Sequence, residues 1–246
     1  MGGEQTDLMV AVARAVRHFW ETRERQATLQ GRRSGKADRG GRRAATGGAQ
    51  LDGFADLIQR LVENASSGKA KVYRRTHAAL PGYYRAEKTW DLVVMHNQRL
   101  LAAIELKAQV GPSFGNNYNN RAEEAIGSAT DYWAAFREGA FVGKCRPWLG
   151  YLMLLEDAAG ARRPVSVKEP HFRVFEEFRD VSYAKRYEIL LLRLIRDRLY
   201  DAACLILSPR EEGRKGRFSE PSEELSFTNF AERLLAHVIG YTAISG

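Results

Sequence analysis

Asp91, Glu105 and Lys107 are the residues whose types and spacing could do chemistry. They lie at the ends of two apolar runs, Leu92 to Met95 and Leu100 to Ile104, and a polar turn joins these runs. Two apolar runs with a short polar turn between them predict a β-hairpin. Runs this rich in Leu, Val, Ile and Ala are typical of strands that are buried on both faces. Charged groups at the end of such a hairpin need a reason, because burying an unpaired charge is costly.

The register of the hairpin decides whether the charged groups meet. A loop formed by Asn97, Gln98 and Arg99 would place Asp91 directly opposite Glu105. Directly opposed residues share one face of a sheet, with Cβ atoms about 5 Å apart. Lys107 follows Glu105 by two positions, so it joins the same face. A two-residue loop would shift the register by one residue and separate the acids, so this interpretation requires an odd loop or a bulge.

Two carboxylates this close repel each other unless a positive charge lies between them. A hard divalent cation suits that position, since Mg²⁺ binds one or two carboxylates together with water and phosphate oxygens. The metal would polarise a scissile phosphate, and Lys107 could orient or deprotonate the attacking water. The pattern therefore predicts a catalytic group of Asp91, Glu105 and Lys107, with the two acids as Mg²⁺ ligands. Glu63 and Glu87 could each add a further acid, although a plain surface position is the simpler interpretation of both.

An asparagine-rich polar segment follows the hairpin. Asn favours turns and helix caps, so an elaborate helix N-terminus is one interpretation of this segment. Asn and Arg also form bidentate hydrogen bonds with the edges of adenine and guanine. Because the segment comes directly after a candidate metal site, we expect a polar loop that contacts DNA. The candidate DNA-contacting residues are Gln109, Asn116, Asn117, Asn119, Asn120 and Arg121.

Basic residues are concentrated near the N-terminus. Between Arg23 and Arg43, eight basic residues and two acids give a net charge of +6, compared with +8 for the whole chain. A surplus of this kind indicates a polyanionic partner. We expect a basic, flexible arm at about residues 23–50, either as a solvated loop or as a segment that becomes ordered on a nucleic-acid backbone. The candidate phosphate contacts in the arm are Arg32, Arg33, Arg42 and Arg43.

The length of 246 residues suits one large domain, which we place at residues 1–246 with the arm as its appendage. Cys145 and Cys204 match no metal-ligand spacing, and this cysteine usage fits a reducing, cytoplasmic environment. No apolar run reaches about 18 residues, so the sequence predicts no membrane span. The five histidines form no zinc-binding pair. The hairpin acids therefore remain the best candidates for chemistry.

Helical periodicity alternates with short apolar runs along the chain. This alternation predicts an α/β fold in which helices flank both sides of a central mixed β-sheet. Helices are predicted over residues 7–29, 51–65, 121–137, 183–200 and 229–240, the last with Asn229 and Glu232 as a capping box. Strands other than the hairpin are predicted over residues 71–76, 83–85, 149–155 and 202–207.

The hairpin resembles the motif of the PD-(D/E)xK nuclease superfamily. Trp90-Asp91 stands where that motif often has Pro-Asp, and Glu105-Leu106-Lys107 matches its second half. The stretch from Ile104 to Phe141 resembles the XhoI-type Type II restriction endonucleases, and the resemblance extends over the whole chain. It implies a restriction-endonuclease-like fold. It also implies that Asp91 and Glu105 bind Mg²⁺ with help from the Leu106 carbonyl, while Lys107 positions or activates water.

The same resemblance implies a substrate and partners. XhoI-type enzymes are homodimers that cut double-stranded DNA at the palindrome CTCGAG, after the first C, and leave 5′ overhangs with 5′-phosphate ends. Such an enzyme has a companion DNA methyltransferase that protects the same site. Two other functions stay open. One is a structure-selective or repair nuclease of the same fold, and the other is a non-catalytic basic nucleic-acid-binding protein whose acids are only charged strand ends.

Overall fold

A computed structural model describes residues 2–34, 49–143 and 145–244. Within these ranges the helices are α1 (Gly2–Ser34), α2 (Asp52–Ala65), α3 (Gly115–Arg137), α4 (Ala159–Arg162), α5 (Tyr183–Arg196), α6 (Arg210–Gly213) and α7 (Phe227–Ile244). The strands are β1 (Lys71–Arg74), β2 (Ala79–Pro81), β3 (Glu87–Thr89), β4 (Leu92–His96), β5 (Arg99–Gln109), β6 (Trp148–Glu156) and β7 (Ala202–Ser208). None of the helices in the described residues is long and apolar enough to cross a membrane.

Five strands form the central sheet in the order β1-β4-β5-β6-β7. Strand β4 is antiparallel to both of its neighbours, β1 and β5, whereas β5, β6 and β7 are parallel. Strands β2 and β3 form a separate antiparallel pair. The predicted α/β fold with a mixed sheet and flanking helices is confirmed.

Helices cover both faces of the sheet. On one face α1, α2 and α7 pack through residues such as Phe19, Phe54 and Phe230, which are fully buried. On the other face α3 and α5 pack through Tyr132 and Tyr187. Every residue of β6 and β7 is buried, as expected for parallel strands covered on both sides. Glu105 of β5 is therefore a buried acid in an otherwise apolar part of the sheet, with the partly buried Lys107 two positions beyond it.

The hairpin turn is shorter than predicted. Asn97 and Gln98 alone form it, with φ of 46° and 63°, and His96 pairs with Arg99. Two successive residues with positive φ give a turn whose twist matches that of the flanking strands. The predicted three-residue loop is therefore wrong.

A β-bulge nevertheless restores the register that the chemistry requires. Met95 pairs with Leu100 but Val94 pairs with Ala102, so Leu101 is an extra residue on β5. Beyond the bulge, Leu92 pairs with Ile104. Continuing this register by one position places Asp91 opposite Glu105.

Several element boundaries differ from the predictions. Helix α1 continues to Ser34, so the first part of the predicted arm is helical. Residues 83–85 form no strand and lie between β2 and β3. Helix α5 ends at Arg196 because Arg198 adopts a φ of 56°. Helix α7 begins before Asn229, and the Ser226 hydroxyl accepts a hydrogen bond from the Asn229 N–H at 3.1 Å, so Ser226 is the cap.

The positive φ angles of the turn predict that glycine at position 98 stabilises the protein. Gln98→Gly should raise the free energy of unfolding by about 0.5–1 kcal/mol, because glycine adopts a positive φ without the strain of a Cβ atom. Chemical denaturation measures the change. Asn97→Gly is the matched control and should gain less, since asparagine tolerates this conformation. A loss of stability in Gln98→Gly would contradict the two-residue turn.

Candidate functional site

The two predicted acids lie on the same face of the sheet. Asp91 immediately precedes β4, and its Oδ2 accepts a hydrogen bond from the backbone N–H of Leu106 at 2.7 Å. Glu105 belongs to the alternate residues of β5 that face α3 and α5, as do Ala103 and Lys107. Strand backbone of the hairpin therefore positions Glu105 and Lys107, and Asp91 lies at the residue immediately before a strand.

Glu105 is held between two lysines. Its side chain is almost fully buried, at 4% exposure for the residue. One carboxylate oxygen, Oε1, forms an ion pair with Lys107. The other, Oε2, lies 2.8 Å from the Nζ of Lys88. Lys88 comes from β3, and its Nζ also lies 4.5 Å from the centre of the Trp90 ring, a cation–π contact.

Lys88 is not among the site residues predicted from the sequence. A faint signal was present, because Lys88 and Trp90 alternate in an extended segment just before Asp91. Nothing in the sequence indicated that β3 would run close to Glu105. The structure thus adds a second lysine to the predicted group of Asp91, Glu105 and Lys107.

The charges in the site act in opposite directions on the two acids. Burial and the neighbouring charge of Glu105 raise the pKa of Asp91 above its ordinary value. Burial alone would raise the pKa of Glu105 too, but Lys107 and Lys88 outweigh burial and hold that pKa below its ordinary value. At neutral pH Glu105 is therefore a stable carboxylate, whereas the ionised form of Asp91 lacks comparable compensation.

The donor atoms fit a hard divalent cation. Two carboxylates from opposed backbone positions supply oxygen ligands, which Mg²⁺ prefers. The Leu106 N–H points towards Asp91, and residues in an antiparallel ladder direct their N–H and C=O towards the same neighbour. The Leu106 carbonyl therefore faces the same side as the Asp91 carboxylate. No cluster of three or more acidic, histidine or cysteine side chains suited to a metal occurs in the described residues.

The two possible extra acids lie elsewhere. Glu63 is near the end of α2, which packs on the opposite face of the sheet from Glu105, and it accepts a hydrogen bond from Gln59 at 2.8 Å. Glu87 is exposed on β3, where the alternation of side chains directs Lys88 rather than Glu87 towards Glu105. The structure brings neither acid to the site.

The asparagine-rich segment is helical, so the predicted polar loop is wrong. Helix α3 begins at Gly115, six residues before its predicted start. Asn116, Asn119 and Asn120 are exposed, and their spacing places them on one face of the first two turns. Asn117 is half-buried and its side-chain amide donates to the carbonyl of Ser113 at 2.6 Å.

Arg121 lies deeper in the helix and forms an ion pair with Glu124. Its positive charge also acts on the hydroxyls of Tyr151 and Tyr187, which burial keeps at raised pKa. Tyr151 pairs with Glu105 in the register of β5 and β6. Arg121 follows the buried Tyr118 by three positions, so it lies on the side of α3 that packs towards the sheet and its acids, whereas the exposed asparagines face outwards.

Gln109 is the predicted DNA contact that the structure contradicts. It is 3% exposed, and its amide nitrogen donates to the backbone carbonyls of Ser113 and Phe114 at 3.3 and 2.9 Å. Its amide oxygen accepts a hydrogen bond from the Tyr187 hydroxyl. With both ends of the amide occupied, Gln109 fixes the chain at the start of α3 and is not available to a base.

A basic cleft lies at the edge where the parallel strands end. It has a volume of about 1020 Å³, and its charged lining residues are Arg23, Glu24, Glu156, Arg163, Arg210 and Arg214. Burial and the nearby Arg210 lower the pKa of Arg23. The cleft adjoins α1, from which the predicted arm continues. The side chains of Arg32 and Arg33, and the whole of Arg42 and Arg43, lie outside the described residues.

We predict that the folded protein becomes more stable when Asp91 loses its charge. Because the pKa of Asp91 is higher in the folded than in the unfolded protein, its ionised form destabilises the fold above that pKa, and the penalty disappears as pH falls below the ordinary pKa of aspartate. Asp91→Asn keeps an acceptor for the Leu106 N–H. With a chelator present, it should raise the melting temperature at neutral pH, by roughly 2–4 °C for each kcal/mol gained.

Thermal unfolding at neutral pH and at about pH 3, below the ordinary aspartate pKa, measures this effect. The gain should vanish at the lower pH. Glu87→Gln is the matched control, because it removes an exposed acid from a neighbouring strand and should change neither value. A lower melting temperature for Asp91→Asn at neutral pH would contradict the assignment.

The sequence that forms this site matches one family of known proteins. The family described as restriction endonuclease XhoI matches residues 30–220. The Type II restriction enzyme BstVI of Geobacillus stearothermophilus is 50% identical over 216 residues, which cover 86% of this chain and 96% of that protein. The Type II restriction enzyme XhoI of Xanthomonas vasicola is 43% identical over 182 residues, covering 73% and 72%.

The Type II restriction enzyme AbrI of Azospirillum brasilense is 44% identical over 174 residues, which cover 70% of this chain and 78% of that protein. No solved structure matches the chain. The family match includes the hairpin and the whole of α3, so it covers both the acids and the polar helix that follows them. The resemblance stated from the sequence is thereby confirmed, and the chain belongs to the XhoI family of Type II restriction enzymes, which are site-specific deoxyribonucleases.

Proposed function

We propose that this chain cuts double-stranded DNA at the palindrome CTCGAG in a Mg²⁺-dependent reaction, after the first C of each strand. The products would carry 5′ overhangs, 5′-phosphates and 3′-hydroxyls. The observation that carries the proposal is the pair of opposed carboxylates, Asp91 and Glu105, with Lys107 on the same face of one hairpin. The choice of sequence follows from the resemblance to XhoI-type enzymes.

Asp91 and Glu105, with the Leu106 carbonyl, would hold the divalent ion. Bound there, the ion supplies Lewis-acid polarisation of the scissile phosphate and stabilises its developing negative charge. Lys107, which forms an ion pair with Glu105, would orient a water molecule for in-line attack. Lys88 keeps the Glu105 carboxylate in place from its other side, because the two lysines contact different oxygens of the same group.

The exposed asparagines of α3 remain candidates for base contacts. Asn116, Asn119 and Asn120 project from the helix that starts where β5 ends, close to the strand that carries Glu105 and Lys107. Arg121, on the side of α3 that faces the acids, suits a phosphate of the cleaved strand. Asn117 would have to give up its hydrogen bond to Ser113 before it could read a base.

A two-fold homodimer would let one chain address both strands of a palindrome, because the symmetry of the protein then matches that of the site. A companion methyltransferase acting on the same sequence would protect the DNA of the host cell. We place both activities in the cytoplasm, where that DNA lies. The methyltransferase would be a genetic partner rather than a bound one.

The catalytic assignment predicts separate effects on cutting and on binding. Asp91→Ala and Lys107→Met should each reduce the cleavage rate by at least about 100-fold, because each removes a group that acts on the reacting atoms. Specific binding in Ca²⁺, measured by gel retardation, should persist. Glu63→Gln, an acid on the far face of the sheet, is the matched control and should cut normally. Intact Mg²⁺-dependent cutting by Asp91→Ala would show that the hairpin is not the active site.

A plasmid digest tests the proposed specificity in the same assay. Discrete fragments whose ends map to CTCGAG support the proposal. Fragments whose ends map to another sequence would show a restriction enzyme with a recognition site other than CTCGAG. Smearing, or nicking confined to branched DNA, would favour the structure-selective nuclease instead.

The basic arm predicts a salt effect. Replacing Arg32, Arg33, Arg42 and Arg43 together with serine should weaken DNA binding at low salt and flatten the plot of log affinity against log salt by about 0.9 for each lost phosphate contact. Titrations at several salt concentrations measure this slope. Replacing the same number of exposed lysines and arginines outside residues 23–50 provides the comparison. An unchanged slope would assign the arm no role in DNA binding.

A further inference from the structure

Two tyrosines are exposed side by side between β2 and β3. We call Tyr83 and Tyr84 the aromatic tip. Their exposed fractions are 53% and 71%, so most of both rings faces solvent. The ring centres lie 4.9 Å apart and the ring planes are nearly perpendicular, at 87°. Exposed large rings are expensive to leave in water, and two in succession call for a partner.

Hydrogen bonds fix the backbone of the tip, although both of its rings are exposed to solvent. The buried carboxylate of Asp131, on α3, accepts hydrogen bonds from the N–H groups of Tyr83 and Tyr84, both at 2.8 Å. The guanidinium of Arg85 donates to the same carboxylate at 2.7 Å. A Cβ atom at Gly82 would lie 2.6 Å from the Asp131 Oδ2, so only glycine permits this approach.

Three charge-assisted hydrogen bonds to one carboxylate, 6% exposed in its side chain, make a rigid support. A loop that carried exposed rings by chance would need no such support. Rigid presentation matters for binding, because a group that is already ordered loses less entropy when its partner arrives. The arrangement therefore has the character of a preformed contact surface.

The tip is also connected to the active site. Strand β3 follows it directly, and the Lys88 of that strand lies 2.8 Å from Glu105. Lys88 is four positions beyond Tyr84, and four residue steps along a chain span at most about 14 Å. Trp90, whose ring contacts Lys88, also packs edge-on against Tyr132 of α3. A duplex whose phosphate lies at Glu105 and Lys107 is therefore within reach of the tip.

We propose that the aromatic tip packs against the DNA beside the cleaved phosphate, stacking on a base or against a deoxyribose. The inference rests on the proposed function, because it takes the substrate of the Asp91–Glu105 site to be DNA. Aromatic rings suit this role, since they pack against a deoxyribose without reading the sequence, and a ring that enters an opened base step of the duplex stacks on whichever base is there. DNA is the occupant because the tip is continuous with the strand that carries a lysine into the site.

The position of the tip on α3 separates it from the candidate base-reading residues. Asp131 lies twelve residues beyond Asn119 on the helix, a distance of about 18 Å at 1.5 Å per residue. That distance corresponds to about five base pairs of duplex at 3.4 Å each. The asparagines and the tip would therefore contact different parts of the DNA. The tip would add affinity and hold the substrate in place without reading its sequence.

Alanine and phenylalanine variants of the tip provide the test. The double variant Tyr83→Ala, Tyr84→Ala should bind a duplex containing the cleaved sequence about tenfold or more weakly in Ca²⁺, because a lost stacking contact costs that much per base. Its KM should rise more than its kcat falls. The double variant Tyr83→Phe, Tyr84→Phe keeps both rings and should bind nearly as the unmodified protein does. Both changes are at exposed positions, so folding is preserved.

Salt dependence and crosslinking give two independent readouts. Ring contacts release no counterions, so the alanine variant should keep the full slope of log affinity against log salt, unlike a variant of the basic arm. Duplexes that carry 5-iodouracil at successive positions should crosslink on irradiation to Tyr83 or Tyr84 at one or two positions beside the cut. Phe172→Ala removes a ring that is 88% exposed elsewhere on the protein and should leave affinity unchanged.

Three results would overturn the inference. These are alanine variants that bind with unmodified affinity, phenylalanine variants that lose as much as the alanine variants, or crosslinks that form only at other residues. A failure of the proposed function would look different, because the unmodified protein would then fail to cut DNA. If the unmodified protein cuts CTCGAG and the alanine variant binds equally well, only the role of the tip is rejected.

Discussion

The site depends on one extra residue in a strand. Leu101 has no partner on β4, and the bulge that it forms compensates for a two-residue turn that would otherwise place Asp91 and Glu105 on opposite faces of the sheet. Leu101 is fully buried on the face of the sheet that α1, α2 and α7 cover, so apolar packing accommodates the extra residue. The apolar packing of one face therefore fixes the polar chemistry of the other.

The electrostatics of the site follow from that register. Once Glu105 lies opposite Asp91 inside an apolar sheet, the two acids need positive charge nearby. Lys107 comes from the same strand, so the register that positions the acid positions the lysine as well. Lys88 comes from a separate strand pair, whose path depends on Asp131 of α3. Local strand pairing thus brings Lys107 to Glu105, and long-range packing brings Lys88 to it.

The difference between local strand pairing and long-range packing explains what could be predicted from the sequence. Periodicity and apolar runs predicted the mixed sheet and most of the helices, and spacing predicted Asp91, Glu105 and Lys107 as one group. The bulge could be stated only as a condition, because pairing geometry is not encoded in one segment. Lys88 was missed because the course of β3 depends on a carboxylate more than 40 positions away. Gln109 was assigned to DNA because an amide that binds backbone carbonyls looks, in a sequence, like one that binds bases.

The two lysines beside Glu105 have a further consequence for the folding of the protein. Many small metalloproteins cannot fold until their ion arrives, because the ligand charges repel one another in its absence. Here Glu105, a deeply buried acid of the proposed metal site, already forms ion pairs with two ammonium groups of the chain itself. The buried charge of Glu105 is therefore compensated by the chain alone. Folding of the chain then does not wait for the divalent ion that the proposed reaction needs, and only cleavage depends on that ion.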